Sequence, residues 1–503
     1  MELSWRMAQD AGGVLVVSNR GPVSFSRGSD GTLVSRRGGG GLVSSLGPLV
    51  RRNRATWVAA AITEHDRAAA LARPGVVELE GYRLLSLTLD PVAYELAYDV
   101  VANATLWFLH HGLFDLARRP SFDRRWWEAW RAYREVNARF AEAIAEEAPA
   151  DAVVLVQDYH LALVGRLVAE RRPDLRSVHF THIPFCTPDG LRVLPTDVAA
   201  ELLAGMAGAQ ACGFHDPRWT ANFEACCQAV LGTVPPTFTA PITPDADELA
   251  ATAASPDCAE ARAWLDEQVG ARRVISRVER IEPSKNLLRG LAAFDELLAS
   301  RIDLRGEVIL AAFVYPSRES LPEYRSYRGE LEHLAADINA RWGRPGWDPV
   351  LLDTSDNYAR SVAALVRYDV LMVNPVRDGL NLVAKEGPLV NRRDGVLVLS
   401  QEAGAASELG AALQVNPFDV SATARALAAA LDLPAEERRS HAAALRSAVR
   451  ASAPSDWFAA QLRAAGTPEP SGASGAGGTA PSNGRTTSTA GAAGSEPGQQ
   501  LLQ

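Results

Sequence analysis

The chain has 503 residues, which is too long for a single hydrophobic core and predicts two domains. Its composition, 47% hydrophobic and 22% charged, is that of an ordinary globular protein. The formal net charge of -9 argues against a nucleic-acid partner, because proteins that bind nucleic acid usually carry an overall basic surface.

The cysteines and the apolar runs exclude several further classes. No two of the five cysteines have the CxxC spacing of a zinc site. No apolar run approaches the ~18 residues that a membrane span needs. Residues 1–13 lack the charged and then apolar pattern of a signal peptide. We therefore expect a cytoplasmic protein with reduced thiols and no membrane partner, and leave a homo-oligomer open.

The first half of the chain alternates short apolar runs with helical patterns. The apolar runs predict buried strands at residues 14–17, 57–62, 153–156 and 178–180. Two periodic stretches between them predict helices at residues 126–147 and 161–170.

Four glycines at residues 38–41 stand directly before an apolar stretch. The run does not match GxGxxG, so a nicotinamide dinucleotide fold is not favoured. Glycines before a helix allow a ligand phosphate or sugar to approach the backbone closely. A mobile turn without a ligand is the alternative, and the glycines alone do not decide between the two.

The alternating pattern restarts after Pro235 and Pro236. Further strands are predicted at residues 274–275, 308–313, 350–352, 370–373 and 396–399. Strands that alternate with helices predict an α/β fold of two doubly wound, Rossmann-like halves. We place the halves at residues 14–240 and 241–465, after an N-terminal extension of residues 1–13. Residues 466–503 are rich in Gly, Ser, Ala, Thr and Pro and predict a disordered tail.

The stretch from residue 369 to residue 386 predicts a strand, a polar turn and a helix. The free N–H groups and the positive dipole end at the start of such a helix attract phosphate. Asp378 in the turn has a simpler interpretation as the cap of this helix. A cap does not explain Lys385 and Glu386 further along, so we interpret the stretch as the donor side of an active site.

Polar residues follow several of the predicted strands, namely Asp158, His182, Arg280, Lys285 and Arg318. Each alone has a structural interpretation as a cap or a satisfied core residue. Because the carboxyl ends of parallel strands meet at one edge of a sheet, we expect these residues to lie together. Two basic residues opposite a helix N-terminus can neutralise a diphosphate without a metal. Asp245 and Asp247 form a DxD pattern, but they lie in a connector, and we treat the match as incidental.

Taken in order, the motifs resemble the trehalose-6-phosphate synthase family. The resemblance covers roughly residues 14–465, and the architecture it implies is GT-B, two Rossmann-like domains that face a central cleft. The matching runs are VSNRGPV at 17–23, GGLV at 40–43, NATLW at 103–107, VQDYHL at 156–161, HIPF at 182–185, PSR at 316–318 and NPVRDGLNLVAKE at 374–386. Arg280 with Ser284 and Lys285, and residues 404–409, match as well.

The resemblance implies a role for each matched residue. The acceptor, glucose 6-phosphate, would be bound by Arg20, Tyr98, Trp107, Asp158 and Arg318. The nucleotide donor would be bound by Gly40, Gly41, Arg280, Lys285, Tyr358, Asp378, Gly379, Leu382, Val383, Ala384, Lys385 and Glu386. Residues 382–386 would act through backbone amides, with the Glu386 side chain on the ribose. The catalytic set would be His182 and Asp378 on the transferred glucose, with Arg280 and Lys285 on the diphosphate.

The implied reaction is transfer of glucose, with retention, from GDP-glucose or UDP-glucose to glucose 6-phosphate, giving trehalose 6-phosphate. The nucleotide sugar is a substrate, and no cofactor and no metal are expected. The sequence offers no carboxylate pair that would act as nucleophile and acid/base. In this family the leaving phosphate takes the acceptor proton on the same face, which explains why no general base is needed.

The chain departs from the family after Arg280, where it reads IEPSKN at residues 281–286 instead of Leu-Asp-Tyr-x-Lys-Gly. Similar loops in actinobacterial members favour GDP-glucose, with UDP-glucose and ADP-glucose left open. Gly387 and Pro388 replace a more helix-friendly pair, and we expect them to end or kink the helix early.

Two other functions remain as alternatives. One is a pseudoglycosyltransferase or another sugar-phosphate synthase of the same fold. The other is a catalytically silent sensor of sugar phosphate. The complete acceptor set argues against the first alternative. Retention of His182, Asp378, Arg280 and Lys285 argues against the second, because a sensor does not need groups that stabilise a transition state.

Overall fold

Two sheets organise the fold. The computed structural model describes residues 13–28, 31–37 and 41–466. Gly40 and residues 467–503, on which a donor contact and a disordered tail were predicted, lie outside the described residues. The first sheet has eight strands in the order β10-β9-β8-β7-β1-β4-β6-β5, and the second has six in the order β13-β12-β11-β14-β15-β16. Every neighbouring pair is parallel except β5 with β6.

The strands of the first half and of its hairpin are β1 Val14–Arg20, β2 Val23–Arg27, β3 Leu33–Arg37, β4 Thr56–Ala60, β5 Val77–Leu79, β6 Tyr82–Leu87, β7 Val153–Gln157, β8 Arg176–Thr181, β9 Ala211–Phe214 and β10 Thr237–Thr239. Those of the second half are β11 Arg273–Arg280, β12 Val308–Tyr315, β13 Val350–Asp353, β14 Val370–Val373, β15 Val396–Ser400 and β16 Leu413–Val415. Each strand predicted from an apolar run is confirmed. The hairpin β2–β3 and the strands β5, β6, β9, β10 and β16 were not predicted, since they carry no long apolar run.

Helices cover the sheets and connect their strands. In the first half they are Gly41–Arg52, Glu64–Ala72, Pro91–Glu95, Phe108–His111, Arg124–Glu147, Val164–Arg171, Pro188–Leu191, Thr196–Ala207 and Pro217–Leu231. In the rest of the chain they are Ala246–Ala253, Pro256–Val269, Leu287–Ser300, Pro322–Trp342, Tyr358–Arg367, Val383–Val390, Val420–Asp432, Ala435–Arg450 and Pro454–Ala464. None of these described helices combines the length and the apolar character that crossing a bilayer requires.

A π-helix, Leu96–Trp107, joins the helices Pro91–Glu95 and Phe108–His111 without a break. Its hydrogen bonds run between residues five apart rather than four, so side chains about five positions apart share one face. Tyr98, Asn103 and Trp107 are five and four positions apart along it. The segment therefore presents Asn103 on the same side as the two predicted acceptor residues, Tyr98 and Trp107.

The helix Val383–Val390 does not end at Gly387 and Pro388, so that form of the prediction is wrong, and the alternative of a kink stays a prediction. Pro388 lies inside the helix, two residues before its last residue, Val390. Proline removes one backbone hydrogen bond, but Ala384, Gly387, Pro388 and Val390 are buried on the face that packs into the core. Tertiary packing outweighs the local cost of the proline.

Strand β1 shows why both faces of the first sheet are covered. Val14 and Val16 belong to one hydrophobic cluster, which extends into the second half, and Leu15 and Val17 belong to another. Alternate residues of a strand point to opposite faces, so the sheet buries both. The last helix, Pro454–Ala464, also packs on this half, where the Trp457 and Phe180 ring centroids are 5.1 Å apart.

The backbones of the two halves touch at Gly379, in the turn after β14. A Cβ atom on Gly379 would lie 1.9 Å from the carbonyl oxygen of His182, which follows β8. The indole of Trp219 donates to the carbonyl oxygen of Gly379 at 3.0 Å. Only glycine allows this approach, which brings the carboxyl edge of one sheet against that of the other.

Replacing Gly379 by alanine should therefore separate the two edges. Because the added methyl group would overlap the backbone of His182 and Ile183, we expect Gly379→Ala to lower the free energy of unfolding by roughly 3 kcal/mol or more. Denaturant titration measures this loss. Gly410→Ala is the matched control, since a Cβ there meets nothing within 4 Å, and its effect should stay within about 0.5 kcal/mol. Equal stability of the two variants would contradict the proposed close contact.

Candidate functional site

An ion pair between Lys285 and Asp378 lies at the centre of the candidate site. Lys285 follows β11 and Asp378 follows β14, and these two strands are neighbours. The Lys285 Nζ atom is 2.5 Å from Oδ2 of Asp378, and the side chains are only 13% and 14% exposed. Burial opposes ionisation of Asp378, but the charge and the hydrogen bond of Lys285 lower the pKa of this carboxyl. Both groups are therefore charged.

Asn381, not Asp378, caps the helix that follows. The Asn381 side-chain oxygen accepts from the Ala384 N–H at 3.1 Å, and its amide nitrogen donates to Oδ2 of Asp378 at 3.1 Å. The interpretation of Asp378 as a helix cap is therefore wrong. The carboxylate instead faces Lys285, at the edge where the two halves meet.

The first turn of this helix offers fewer amides than the sequence implied. Ala384 bonds to Asn381, and the N–H groups of Lys385 and Glu386 both donate to the Leu382 carbonyl oxygen at 2.8 Å. For the amides of Leu382 and Val383 the structure gives no acceptor among the residues it describes. These two N–H groups are the ones that can bind a phosphate oxygen.

Lys385 and Glu386 differ in where their side chains lie. The Lys385 ammonium is 1% exposed, donates to the Ile242 carbonyl oxygen at 3.0 Å and lies 2.7 Å from Glu408. The sequence analysis took Lys385 as a sign of a donor site. That inference is wrong for the Lys385 side chain, which is bonded inside the protein to Glu408 and Ile242. Glu386 is partly buried, and burial raises its pKa to about 7.

Arg318 lies in a box of aromatic rings. Its guanidinium donates to the hydroxyls of Tyr324 at 2.8 Å and Tyr159 at 3.3 Å. The same group lies over the Trp107 ring, 5.1 Å from its centroid. Cation–π contacts and hydrogen bonds fix the position of Arg318, and its side chain is only 10% exposed.

The π-helix, which supplies Trp107, also brings Tyr98 and Asn103 to this region. Tyr98 stacks on His160, with ring centroids 5.6 Å apart. Asn103 accepts from the hydroxyl of Tyr159 at 2.9 Å. Burial, together with the nearby charges of Arg318 and Arg20, lowers the pKa of His160 to about 3. The charges of two guanidiniums therefore act on one neutral ring, an arrangement that suits a phosphate.

Asp158 begins the loop after β7 in a conformation rare for a non-glycine residue, with φ at 72°. Its Oδ1 accepts from the His182 backbone N–H at 3.1 Å. Burial raises the pKa of Asp158 to about 6, although backbone hydrogen bonds and Arg318 oppose the rise. Strained backbone of this kind is common at functional sites.

Both ring nitrogens of His182 are already bonded. Burial lowers the pKa of His182 to about 3 and that of His215 well below its usual range, so both rings are neutral. His215 Nδ1 accepts from the Ile242 N–H at 3.3 Å, so its Nε2–H donates to His182 Nδ1 at 3.0 Å. His182 Nε2–H then donates to the Gln157 side-chain oxygen at 2.9 Å. A sugar hydroxyl would have to replace Gln157 to bond this ring.

The remaining candidates lie at the rim or have a structural role. Arg20 is exposed at the end of β1, and Gly41 begins the helix Gly41–Arg52. Tyr358 is 57% exposed and begins the helix after β13, two strands from β11. Asp245 caps the helix Ala246–Ala253 by accepting from the N–H groups of Asp247 and Glu248.

The sequence interpretation missed Glu282, His215 and Tyr159 as parts of the site. Glu282 stands between Arg280 and Lys285, an acidic residue among basic ones that could have been noticed. His215 follows β9 in the way that His182 follows β8, but β9 is too short to be predicted from its apolar run. Tyr159 lies within the VQDYHL motif, and only its contacts identify it.

The chain is similar to known proteins over nearly all of the described residues. Residues 12–466 match the model of glycosyltransferase family 20. A trehalose-6-phosphate synthase of Mycolicibacterium vanbaalenii is 34% identical over 483 residues, which are 91% of this chain and 96% of that protein.

Solved structures are similar as well. An alpha,alpha-trehalose-phosphate synthase (UDP-forming) of Burkholderia xenovorans, in complex with glucose-6-phosphate, superposes with a TM-score of 0.78 at 26% identity, covering 90% of this chain and 100% of that one. An E. coli structure described as trehalose-6-phosphate bound with UDP-2-fluoro glucose has a TM-score of 0.79 at 28% identity, covering 90% of this chain and 98% of that one. The predicted GT-B architecture is confirmed.

Replacing Asp158 by asparagine should stabilise the protein at alkaline pH. The folded-state pKa is raised from 3.8 to about 6, so the stability that the protonated carboxyl contributes is lost as pH rises through 6. The substituted amide would still accept the His182 N–H without a buried charge, and we expect Asp158→Asn to gain about 1–3 kcal/mol at pH 8. Thermal unfolding at pH 8 and pH 5 measures the gain, which should shrink at pH 5. Asp348→Asn, at an exposed position, is the control, and a gain independent of pH would contradict the assignment.

Proposed function

The chain belongs to glycosyltransferase family 20, and on this premise we propose that it transfers glucose, with retention, from a nucleotide donor to glucose 6-phosphate and forms trehalose 6-phosphate. The observation that carries the proposal is the convergence of two basic clusters at the facing carboxyl edges of the sheets. Arg280 and Lys285 lie on the donor side, and Arg318 and Arg20 lie on the acceptor side. A reaction between two phosphorylated sugars requires two such anion sites next to each other.

On the donor side, positive charge stabilises the departing diphosphate. Cleavage of the glucose–phosphate bond leaves an oxocarbenium-like sugar and a nucleoside diphosphate. Arg280, Lys285 and the free amides of Leu382 and Val383 are placed to bind the charge that develops on this leaving group. The diphosphate would compete with Asp378 for Lys285, which frees the Asp378 carboxylate for the hydroxyls of the transferred glucose. Gly379 keeps the backbone close to the sugar, and the Glu386 carboxyl is assigned to the ribose.

On the acceptor side, Arg318 and Arg20 bind the phosphate of glucose 6-phosphate, with Tyr98 and Trp107 lining the pocket. Asp158 binds acceptor hydroxyls. The leaving phosphate takes the acceptor proton on the face from which it departs, which gives retention. His182 does not act as an acid or a base in this proposal, because its pKa is about 3 and both ring nitrogens are bonded. Its contact with the transferred glucose is proposed to be through Nε2–H, in place of Gln157.

No cofactor is assigned to the reaction, since the nucleotide sugar is itself a substrate. A cytoplasmic location follows from this proposal, because nucleotide sugars and sugar phosphates are made there.

For the donor base we propose a preference for guanine. Tyr315 on β12 is paired in register with Arg280 on β11. Burial raises the pKa of Tyr315, and the nearby charge of Asp356 adds to this rise. Asp356 is exposed after β13, and the structure gives its carboxylate no hydrogen bond within the described ranges. Guanine offers two adjacent N–H donors to a carboxylate, whereas uracil offers one N–H between two carbonyl oxygens that a carboxylate repels.

Incubation with glucose 6-phosphate and GDP-, UDP- or ADP-glucose tests both the reaction and the preference. We expect a non-reducing disaccharide phosphate, detected by mass spectrometry and resistance to reduction, with the largest kcat/KM for GDP-glucose. Asp356→Asn should reduce the ratio of GDP- to UDP-glucose turnover about tenfold or more, since a bidentate contact of this kind contributes about 1–3 kcal/mol. Asp348→Asn should leave the ratio unchanged. No product with any donor would overturn the function, and an unchanged ratio in Asp356→Asn would overturn only the base assignment.

Replacing Arg318 by lysine should weaken binding of the acceptor, glucose 6-phosphate, more than binding of the donor. Lysine keeps the charge but loses the planar fork that binds phosphate through two donors. We expect Arg318→Lys to raise the KM for glucose 6-phosphate about tenfold or more, while the donor KM changes less than about threefold. Initial rates at varied acceptor and donor concentrations separate the two constants. An unchanged acceptor KM would remove Arg318 from the phosphate site.

A further inference from the structure

One buried carboxylate, Glu282, lies between the two arginines that are assigned to different substrates. Its Oε1 atom is 2.9 Å from Nη1 of Arg280 and accepts from Nη1 of Arg318 at 2.8 Å. The hydroxyl of Ser317 donates to the same oxygen at 2.9 Å. The Glu282 side chain is 1% exposed, so these contacts are poorly screened by water.

The two arginines are held very differently. Arg318 is bound by Tyr324, Tyr159 and the Trp107 ring as well as by Glu282, and it is 10% exposed. Arg280 is 43% exposed, and within the described part of the chain its ion pair is with Glu282. Removing Glu282 would therefore leave Arg318 largely in place and release Arg280.

We propose that Glu282 is a positioning residue that holds Arg280 in line with the departing diphosphate and anchors it to the acceptor side through Arg318 and Ser317. This inference rests on the proposed function, since it takes Arg280 as a ligand of the nucleoside diphosphate. The aromatic rings fix Arg318, and Oε1 of Glu282 bonds both Arg318 and Arg280, so the fixed position of Arg318 also restricts Arg280 on the donor side. Glu282 touches neither substrate in this arrangement.

The charge of Glu282 is what the role requires. Burial would favour the neutral acid, but Arg280, Arg318 and Lys285 lower the pKa of Glu282 to about 2. The group is therefore a carboxylate over the whole working range of pH. A glutamine has nearly the same shape and still accepts a hydrogen bond, but it lacks the charge that holds two guanidiniums together.

Removal of this charge should slow turnover strongly while it leaves binding of the nucleoside diphosphate nearly unchanged or tighter. Binding of an anion in the ground state depends on the net positive charge of the site, which increases when Glu282 becomes neutral. Stabilisation of the transition state depends on where Arg280 is held, because preorganised donors act without reorganising during the reaction. Loss of a residue with a merely structural role would impair nucleoside diphosphate binding and kcat together.

The test compares Glu282→Gln with the wild type in steady-state kinetics and in calorimetric binding of the nucleoside diphosphate of the donor that the wild type uses. We expect kcat to fall about 10- to 100-fold, while the Kd for the nucleoside diphosphate becomes tighter or weakens by less than about threefold. Arg280→Ala should lower kcat and weaken nucleoside diphosphate binding together. Adding Glu282→Gln to Arg280→Ala should change kcat less than about threefold, because Glu282 acts through the side chain already removed.

Two further variants keep the test decisive. Glu282→Asp retains the charge on a shorter side chain and should recover part of the lost kcat. If Glu282→Gln does not fold, Glu282→Asp is compared with the wild type in its place. Glu307→Gln, at an exposed position directly before β12 and at the opposite end of that strand from Ser317, is the matched control and should behave as the wild type. A kcat of Glu282→Gln within about threefold of the wild type, or a double variant much slower than Arg280→Ala, would overturn the inference and leave the proposed function standing. A wild type inactive with every donor would overturn the proposed function and this inference with it.

Discussion

The balance of buried charge at the carboxyl edges of the two sheets is the constraint on which the site depends. Three cations, Arg280, Lys285 and Arg318, meet two carboxylates, Glu282 and Asp378, so one positive charge remains in excess. The carboxylates have to be there, because unpaired cations at this depth would be strongly disfavoured. In the proposed reaction this excess charge attracts the diphosphate, which would take over one cation from its protein partner. Binding would then exchange one ion pair for another.

The position of these charges depends on how closely the two halves approach each other. Gly379 permits contact between the turn after β14 and the segment after β8, and the Trp219 indole closes over it. Behind the contact, the neutral pair His182 and His215 forms a directed chain of hydrogen bonds that starts at a backbone amide. Neutral rings suit this location, since a further cation would add to the excess positive charge. A glycine backbone contact and a pair of uncharged rings thus lie where the donor and acceptor edges meet.

The acceptor side adds aromatic rings to the ion pair of Arg318 with Glu282. The π-helix Leu96–Trp107 places Tyr98, Asn103 and Trp107 on one face, because its spacing differs from that of an α-helix. Trp107 lies under Arg318, and Tyr98 stacks on His160. The rings restrict Arg318, and the one carboxylate that pairs with it is shared with Arg280, so Glu282 does not cancel both guanidinium charges. The same restriction makes Arg318 a firm anchor for Glu282 and, through it, for Arg280.

The sequence by itself determined the class of the fold and the position of most functional candidates along it. Apolar runs and helical periods are local properties, so the parallel α/β architecture and the strands up to residues 396–399 could be predicted. The polar residues at strand ends could be predicted as neighbours, since the carboxyl ends of parallel strands share an edge. The resemblance to one family then assigned roles that composition and periodicity do not contain.

Only the tertiary structure decided which partner each polar side chain takes. Asn381 rather than Asp378 caps the helix, Lys385 points to Glu408 in the interior, and Glu282 joins Arg280 to Arg318. The helix also continues past Pro388, because its buried face outweighs one lost hydrogen bond. Many of these outcomes depend on groups far apart in the chain, as with Lys285 and Asp378 or His182 and Gly379. A local pattern carries information about period and polarity, whereas the choice of partner is made by distance and burial in the folded molecule.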